Sequence, residues 1–197
     1  MCYGQWTSPV IDGTIGSNEY GAHTNGQNQG YNATSGTTWY CTWSDDSISF
    51  ACTGGFDPTG SGNADALNVY IDTDPSIPVN SSGNGNDTGA NYDNITPYLP
   101  FNADALIALR HNNQSRVLYS SGAWQYQSNS NFNVFINYTS PYVIEVKVAW
   151  SDLGVSGRPD AFNWLGYISY SNSVSGSFAT IPSLNPGGTA PQMVRYY

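Results

Sequence analysis

Charge is what this chain has least of. Only 10% of its 197 residues are charged, and five basic side chains, of which one, Lys147, is lysine, stand against 14 acidic ones. A phosphate backbone is gripped by clustered cations, so nucleic-acid binding is excluded. Attraction to an anionic membrane surface fails on the same ground. No apolar run approaches the roughly 18 residues that a helical membrane span needs, and membrane insertion is not expected. Met1-Cys2-Tyr3-Gly4 lacks the basic start and apolar middle of a signal peptide. A secreted protein of this sequence would therefore be a mature form or an excised domain. Cysteine and histidine are also scarce, at three and two residues, with no Cys-x-x-Cys pair, so a structural zinc site is not expected. Haem would need an axial Met or His; Met193, His23 and His111 imply no such pairing by position.

What the chain does have is aromatic and β-branched side chains, with aromatics at 14%. That places it among folded rather than disordered chains. Its polarity comes from Asn, Ser, Thr and Gly, the composition of an extracellular or cell-surface protein. Helical periodicity is absent, and period-two alternation recurs. In Ala66 to Asp74, Leu67, Val69 and Ile71 alternate with Asn68, Tyr70 and Asp72, which predicts a strand with one buried face. Leu99 to Arg110 is apolar on both faces and predicts one central strand. Tyr142 to Trp150 alternates with Glu145 and Lys147 on a wet face, and Ser151-Asp152-Leu153-Gly154 predicts a single helical turn. Pro75 to Tyr98, and Ser121 to Asn131, read as loops. The sum is an all-β chain: one antiparallel β-sandwich, jelly-roll or immunoglobulin-like, of about nine strands with essentially no helix. Residues 1–197 form a single domain, with its core in 6–182 and a tail, 183–197, that closes its own sheet or is exchanged with a neighbour.

The hairpin around Ser44-Asp45-Asp46-Ser47 leaves two registers open. If Trp43 faces Phe50, then Cys41 faces Cys52 and a disulfide, Cys41–Cys52, is expected. If Trp43 pairs with Ile48 instead, both are buried free thiols. Cys2 is left over in either case.

Several stretches, in order, resemble carbohydrate-binding family 9-like (DOMON-like) β-sandwich domains. They are Ile11-Asp12-Gly13-Thr14-Ile15 with Glu19-Tyr20-Gly21, the Trp39 to Trp43 hairpin strand with Asp45-Asp46, Val69 to Pro75, and Leu99 to Asp104. Glu145 to Leu153 follows, with Ala149 where the family has proline, and then Phe162 to Tyr167. The resemblance covers residues 10 to about 182. It implies a sandwich fold and, among the ligands of that superfamily, sugars.

Sugar recognition uses flat exposed aromatics with amides and carboxylates around them. Trp124 and Tyr126, beside Gln125 in a polar loop, are the first candidates, unless Trp124 folds back as a loop anchor; Tyr92 and Tyr98 are the second. Trp39, Trp43, Trp150 and Trp164 are in phase with apolar neighbours and read as core. Asp72, Asp74, Asp87 and Asp93 are candidates for a structural calcium ion, or else form a solvated acidic rim. A glycosidase needs two facing carboxylates; the two glutamates, Glu19 and Glu145, suggest no such pair, and no catalytic motif is present. Six Asn-x-Ser/Thr sequons occur, at Asn32, Asn80, Asn86, Asn94, Asn113 and Asn137. The expected function is a non-catalytic module that holds a larger secreted protein on a glycan or cell-surface polysaccharide. The alternative is a structural subunit of a filament, surface layer or adhesive appendage, partnered by copies of itself through strand exchange of the tail.

Overall fold

A computed structural model of the chain describes residues 8–21, 28–60, 64–75, 85–111, 113–127, 132–170 and 176–197; Cys2, His23 and Asn80 lie outside these. Thirteen strands occur in chain order: β1 (Gln29–Asn32), β2 (Thr37–Trp43), β3 (Ser47–Thr53), β4 (Ala66–Asp72), β5 (Asn86–Thr88), β6 (Tyr98–Ala103), β7 (Ala105–Arg110), β8 (Asn113–Ser120), β9 (Ala123–Gln127), β10 (Asn133–Asn137), β11 (Val143–Ala149), β12 (Asn163–Ser169) and β13 (Ser177–Ile181). A five-stranded sheet, β1-β2-β3-β11-β10, packs on a six-stranded one, β13-β12-β4-β7-β8-β9, and β5 pairs with β6 in a small third sheet. All the ladders are antiparallel. The fold is the all-β sandwich expected, with more strands than the nine foreseen. The helical turn after β11 is a single 3-10 turn, Trp150–Leu153, stopped by Gly154 in the left-handed region.

Between the two large sheets lies one core, built from the in-facing members of each alternation: Trp39 and Phe50, Val69 and Ile71, Ile107, Val146 and Val148. A second core lies on the outer face of the six-stranded sheet. There Tyr70, Leu106 and Tyr167 are covered by Tyr92, Ile95, Leu99 and Phe101 from the excursion after β4, and by Met193 from the tail. This overturns the one-sided reading of β4, whose seven residues are all buried. The described part of the excursion is a cover rather than a free loop. The expected strand at Leu99 to Arg110 is two strands, broken at Asp104, because its halves pair with different partners.

Three further expectations change. The hairpin takes the register Trp43↔Ile48, Cys41↔Phe50, Trp39↔Cys52. Ser44 sets it: its N–H donates to the Ser47 carbonyl at 2.7 Å, and the N–H of Asp46 and of Ser47 donate to its Oγ. Cys41 and Cys52 are therefore diagonal rather than opposed, and both are buried free thiols, not a disulfide. Burial pushes both thiols well above their ordinary pKa. Glu145 does not face water but is fully buried under the segment 8–21. Residues 123–127, read as loop, form β9 on the edge of the six-stranded sheet.

The tail is seated on its own chain. Met193 N–H donates to the Tyr98 carbonyl, and Tyr197 exchanges two 2.9 Å backbone bonds with Trp164. Tyr197 takes the edge of β12 where β13, paired only from Gly166 onward, has turned away.

Candidate functional site

The hairpin and the tail meet at one mouth of the cleft between the sheets. Trp43 is the last residue of β2, and Trp164 is the second of β12. A cavity of about 310 Å³ opens between them, lined by Trp39, Trp43, Phe162, Trp164 and Tyr197, with Asn28, Gln29, Arg158 and Asp160 among its polar members. That is the lower end of the roughly 300–1,000 Å³ range of small-ligand sites.

Each wall is held by packing. Trp39 lies flat across β12 because residue 166 is glycine; a Cβ there would sit 2.6 Å from the indole. The Trp39 Nε1–H donates to the Ala179 carbonyl at 3.1 Å. Tyr197 stacks on Trp164 at 5.3 Å and 27°, and Phe162 meets Trp43 edge-on at 5.2 Å and 82°. The loop carrying Phe162 is tied to the hairpin turn: Arg158 donates from its N–H to the Asp45 carbonyl and from Nε to Asp45 Oδ1 at 3.2 Å. Trp43 is partly exposed and Tyr197 is 46% exposed, so both rings can be reached by a ligand. The sequence reading placed Trp39, Trp43 and Trp164 in the core. Trp39 and Trp164 are buried there and also line the cavity. The signal that could have separated Trp43 from them was its place as the last residue before a turn.

The aromatic candidates singled out in the sequence divide between packed and exposed positions. Trp124 sits edge-on to Tyr70 at 6.0 Å and to Tyr119 at 5.3 Å, and its Nε1–H donates to the Thr88 carbonyl at 2.9 Å. It is the anchor that holds β5 against the sheet. Tyr126 is exposed, with its hydroxyl donating to the Asn91 carbonyl. Gln125 is exposed between them, Tyr98 is 46% exposed, and Tyr92 is buried with the Arg110 guanidinium 6.0 Å from its ring centroid.

The acidic candidates divide too. Asp72 and Asp74 come together, with Asp104, which the sequence reading left out; carboxylate oxygens of the three lie within 4.8 Å of one another. Asp104 stands at the break between β6 and β7, and its Oδ2 accepts from Thr73 N–H and Oγ1–H. Asp72 accepts from Asp74 N–H and from Asn163 Nδ2–H. Burial, with Asp104 and Asp74 beside it, pushes Asp72 up to about 6, and burial raises Asp104 as well. Such a cluster supplies three of the six to eight oxygens that calcium takes. Asp87 is exposed on β5, and Asp93 is paired with Arg110 and accepts from Ser169 Oγ–H. Neither belongs to the cluster. Of the sequons, Asn32 is fully buried, its Nδ2–H donating to the Thr180 carbonyl.

No protein-family model matches the chain, and no curated protein does. Among solved structures, the chain is similar to a carbohydrate-binding module of family 9 from Caldicellulosiruptor kristjanssonii in complex with glucose, at 14% identity and a TM-score of 0.48, over 96% of this chain and 94% of that one. A family 9 module from the same organism in complex with cellotriose is similar at 14% identity and a TM-score of 0.45, over 96% of this chain and 92% of that one.

Proposed function

We propose that this domain is a non-catalytic carbohydrate-binding module of a larger extracellular protein, and that it takes a neutral sugar ring in the aromatic cavity. The observation that carries the reading is the cavity itself: five aromatic side chains converge on about 310 Å³, with amide and charged groups at its polar edge. The C–H faces of a pyranose stack on such rings, while its hydroxyls need donors and acceptors around the perimeter. Trp43 and Tyr197 are the stacking residues; Asn28, Gln29 and Asp160 are the hydroxyl partners. Among the described lining residues Asp160 is the one carboxylate side chain, whereas glycoside hydrolysis takes two. A structural calcium ion on Asp72, Asp74 and Asp104 belongs to the same proposal, as does attachment to a glycan or cell-surface polysaccharide.

The test is calorimetric titration of the protein, Trp43→Ala and Tyr197→Ala with glucose and with neutral oligosaccharides. Both variants are expected to bind at least tenfold more weakly, with cooperative unfolding retained. Undiminished binding by Trp43→Ala, or no binding of any neutral sugar by the parent protein, would reject the reading.

A further inference from the structure

The cleft between the sheets has a second mouth. At the opposite end of the same strands, where β3 and β12 end and β11 begins, an open groove of about 680 Å³ runs between the sheets. Each sheet gives it an aromatic wall. From the six-stranded sheet, Tyr170 lies flat on Phe178, with centroids 4.1 Å apart and planes 19° from parallel. Tyr170 is 48% exposed, so one ring of a rigid stacked pair faces outward. From the five-stranded sheet, Phe56 and Tyr142 pack at 6.3 Å.

The polar groups of the groove are acceptors and hydroxyls. Asp57 accepts from the N–H and the Oγ1–H of Thr59, which hold its carboxyl below the usual range, so it stays ionised. Asp65 Oδ2 accepts from Asp57 N–H at 2.8 Å, which fixes the second carboxylate nearby. Thr34, Ser35, Ser140, Ser177 and Asn185 add hydroxyls and an amide, and no Lys, Arg or His is among the described lining residues. Anions, acidic sugars included, are therefore repelled. The strand ends that frame the groove are already paired: Gly54 N–H donates to the Tyr142 carbonyl and Tyr170 N–H to that of Gly176.

We propose that this groove is a second glycan site, which takes the interior of a neutral oligosaccharide chain. A flat exposed ring suits one pyranose face, and fixed carboxylates accept from vicinal hydroxyls. The openness and the larger volume suit several linked sugars rather than a single ring. The proposal does not rest on the aromatic cavity at the other mouth.

The experiment is a set of two-dimensional 1H–15N spectra of the full chain titrated with cellohexaose, xylohexaose and mannohexaose. It is run on the parent protein, Trp43→Ala, Tyr170→Ala and Tyr170→Phe. At least one hexaose is expected to shift resonances of residues 54–57, 140–142 and 176–179. Those shifts should persist in Trp43→Ala, weaken at least tenfold in affinity in Tyr170→Ala, and return in Tyr170→Phe. Their persistence in Trp43→Ala supports the groove even where the other mouth binds nothing. Three results overturn it: no shifts at these residues with any hexaose, loss of all shifts in Trp43→Ala, or shifts produced by calcium chloride or a cationic peptide alone.

Discussion

At Asp72 and Glu145, two carboxylates do work inside the fold, and each sets a measurable pH dependence. Asp72 sits at about 6, against the roughly 3.9 of an unfolded aspartate. Between those values the native state holds a proton that the unfolded chain has released, so stability falls as pH rises through the window and levels off above it. Asp72→Asn has no proton to lose. Its urea midpoint should gain on that of the parent from pH 4 to pH 6 and run parallel beyond; a gap that stays constant over that range would remove Asp72 as the cause. Calcium chloride at pH 7 should raise the melting temperature of the parent and not of Asp72→Asn, if the three carboxylates hold the ion. Glu145 differs because its charge is matched. Its Oε2 accepts from Asp12 N–H and, at 2.6 Å, from Gly13 N–H, while Oε1 accepts from the Tyr20 hydroxyl at 2.9 Å. Burial still raises its pKa despite these three bonds. Glu145→Gln turns an acceptor into an amide facing backbone donors. The expected loss is about 2 kcal/mol, from one or two charge-assisted bonds, read as a lower urea midpoint at pH 7. An unchanged midpoint would mean that segment 8–21 is held by its other contacts.

Strands were legible where one face meets the core, and misread where a second layer covers the other. Leu67, Val69 and Ile71 marked β4, but Asn68, Tyr70 and Asp72 looked like a solvent face. They are buried because the excursion and the tail fold over them, and no local alternation encodes a distant cover. Glu145 was misread in the same way. The hairpin at Asp45-Asp46 was visible, but its register turned on which residue closes the turn, and side-chain bonds of Ser44 decide that. The fold at the candidate site was legible in Trp43 and Trp164 as strand residues. Their convergence was not, since it needs the 158–162 loop and the tail to meet across the cleft. The tail itself makes a prediction at this scale. Met193 is buried in the second core and bonded through its backbone to Tyr98. Met193→Ala should cost about 2–5 kcal/mol by chemical denaturation, the usual range for a buried methionine. If the tail is instead exchanged between copies, the loss would grow with protein concentration.

Viewed whole, the molecule has aromatic side chains at both mouths of one cleft and almost no cationic surface. A net charge of −9 keeps copies apart at low salt, and the tail's backbone bonds are made within the chain. The protein alone should therefore scatter light as a monomer across a concentration series, which is the opposite of what a strand-exchanging subunit would do. The two proposed sites, at opposite ends, would also make the module a cross-linker. Mixed with a soluble neutral polysaccharide, the parent protein should form large particles near equivalence that disperse in excess protein, because each sugar site is then taken by a separate module and none is left for a second mouth. Trp43→Ala and Tyr170→Ala each remove one end, so each should still co-sediment with an insoluble form of the polymer yet fail to build particles. Particles formed by either variant would mean that bridging comes from somewhere other than the two mouths. Neutral sugars bring no charge to screen, so the co-sedimentation of each variant should be the same at 50 mM and 500 mM salt.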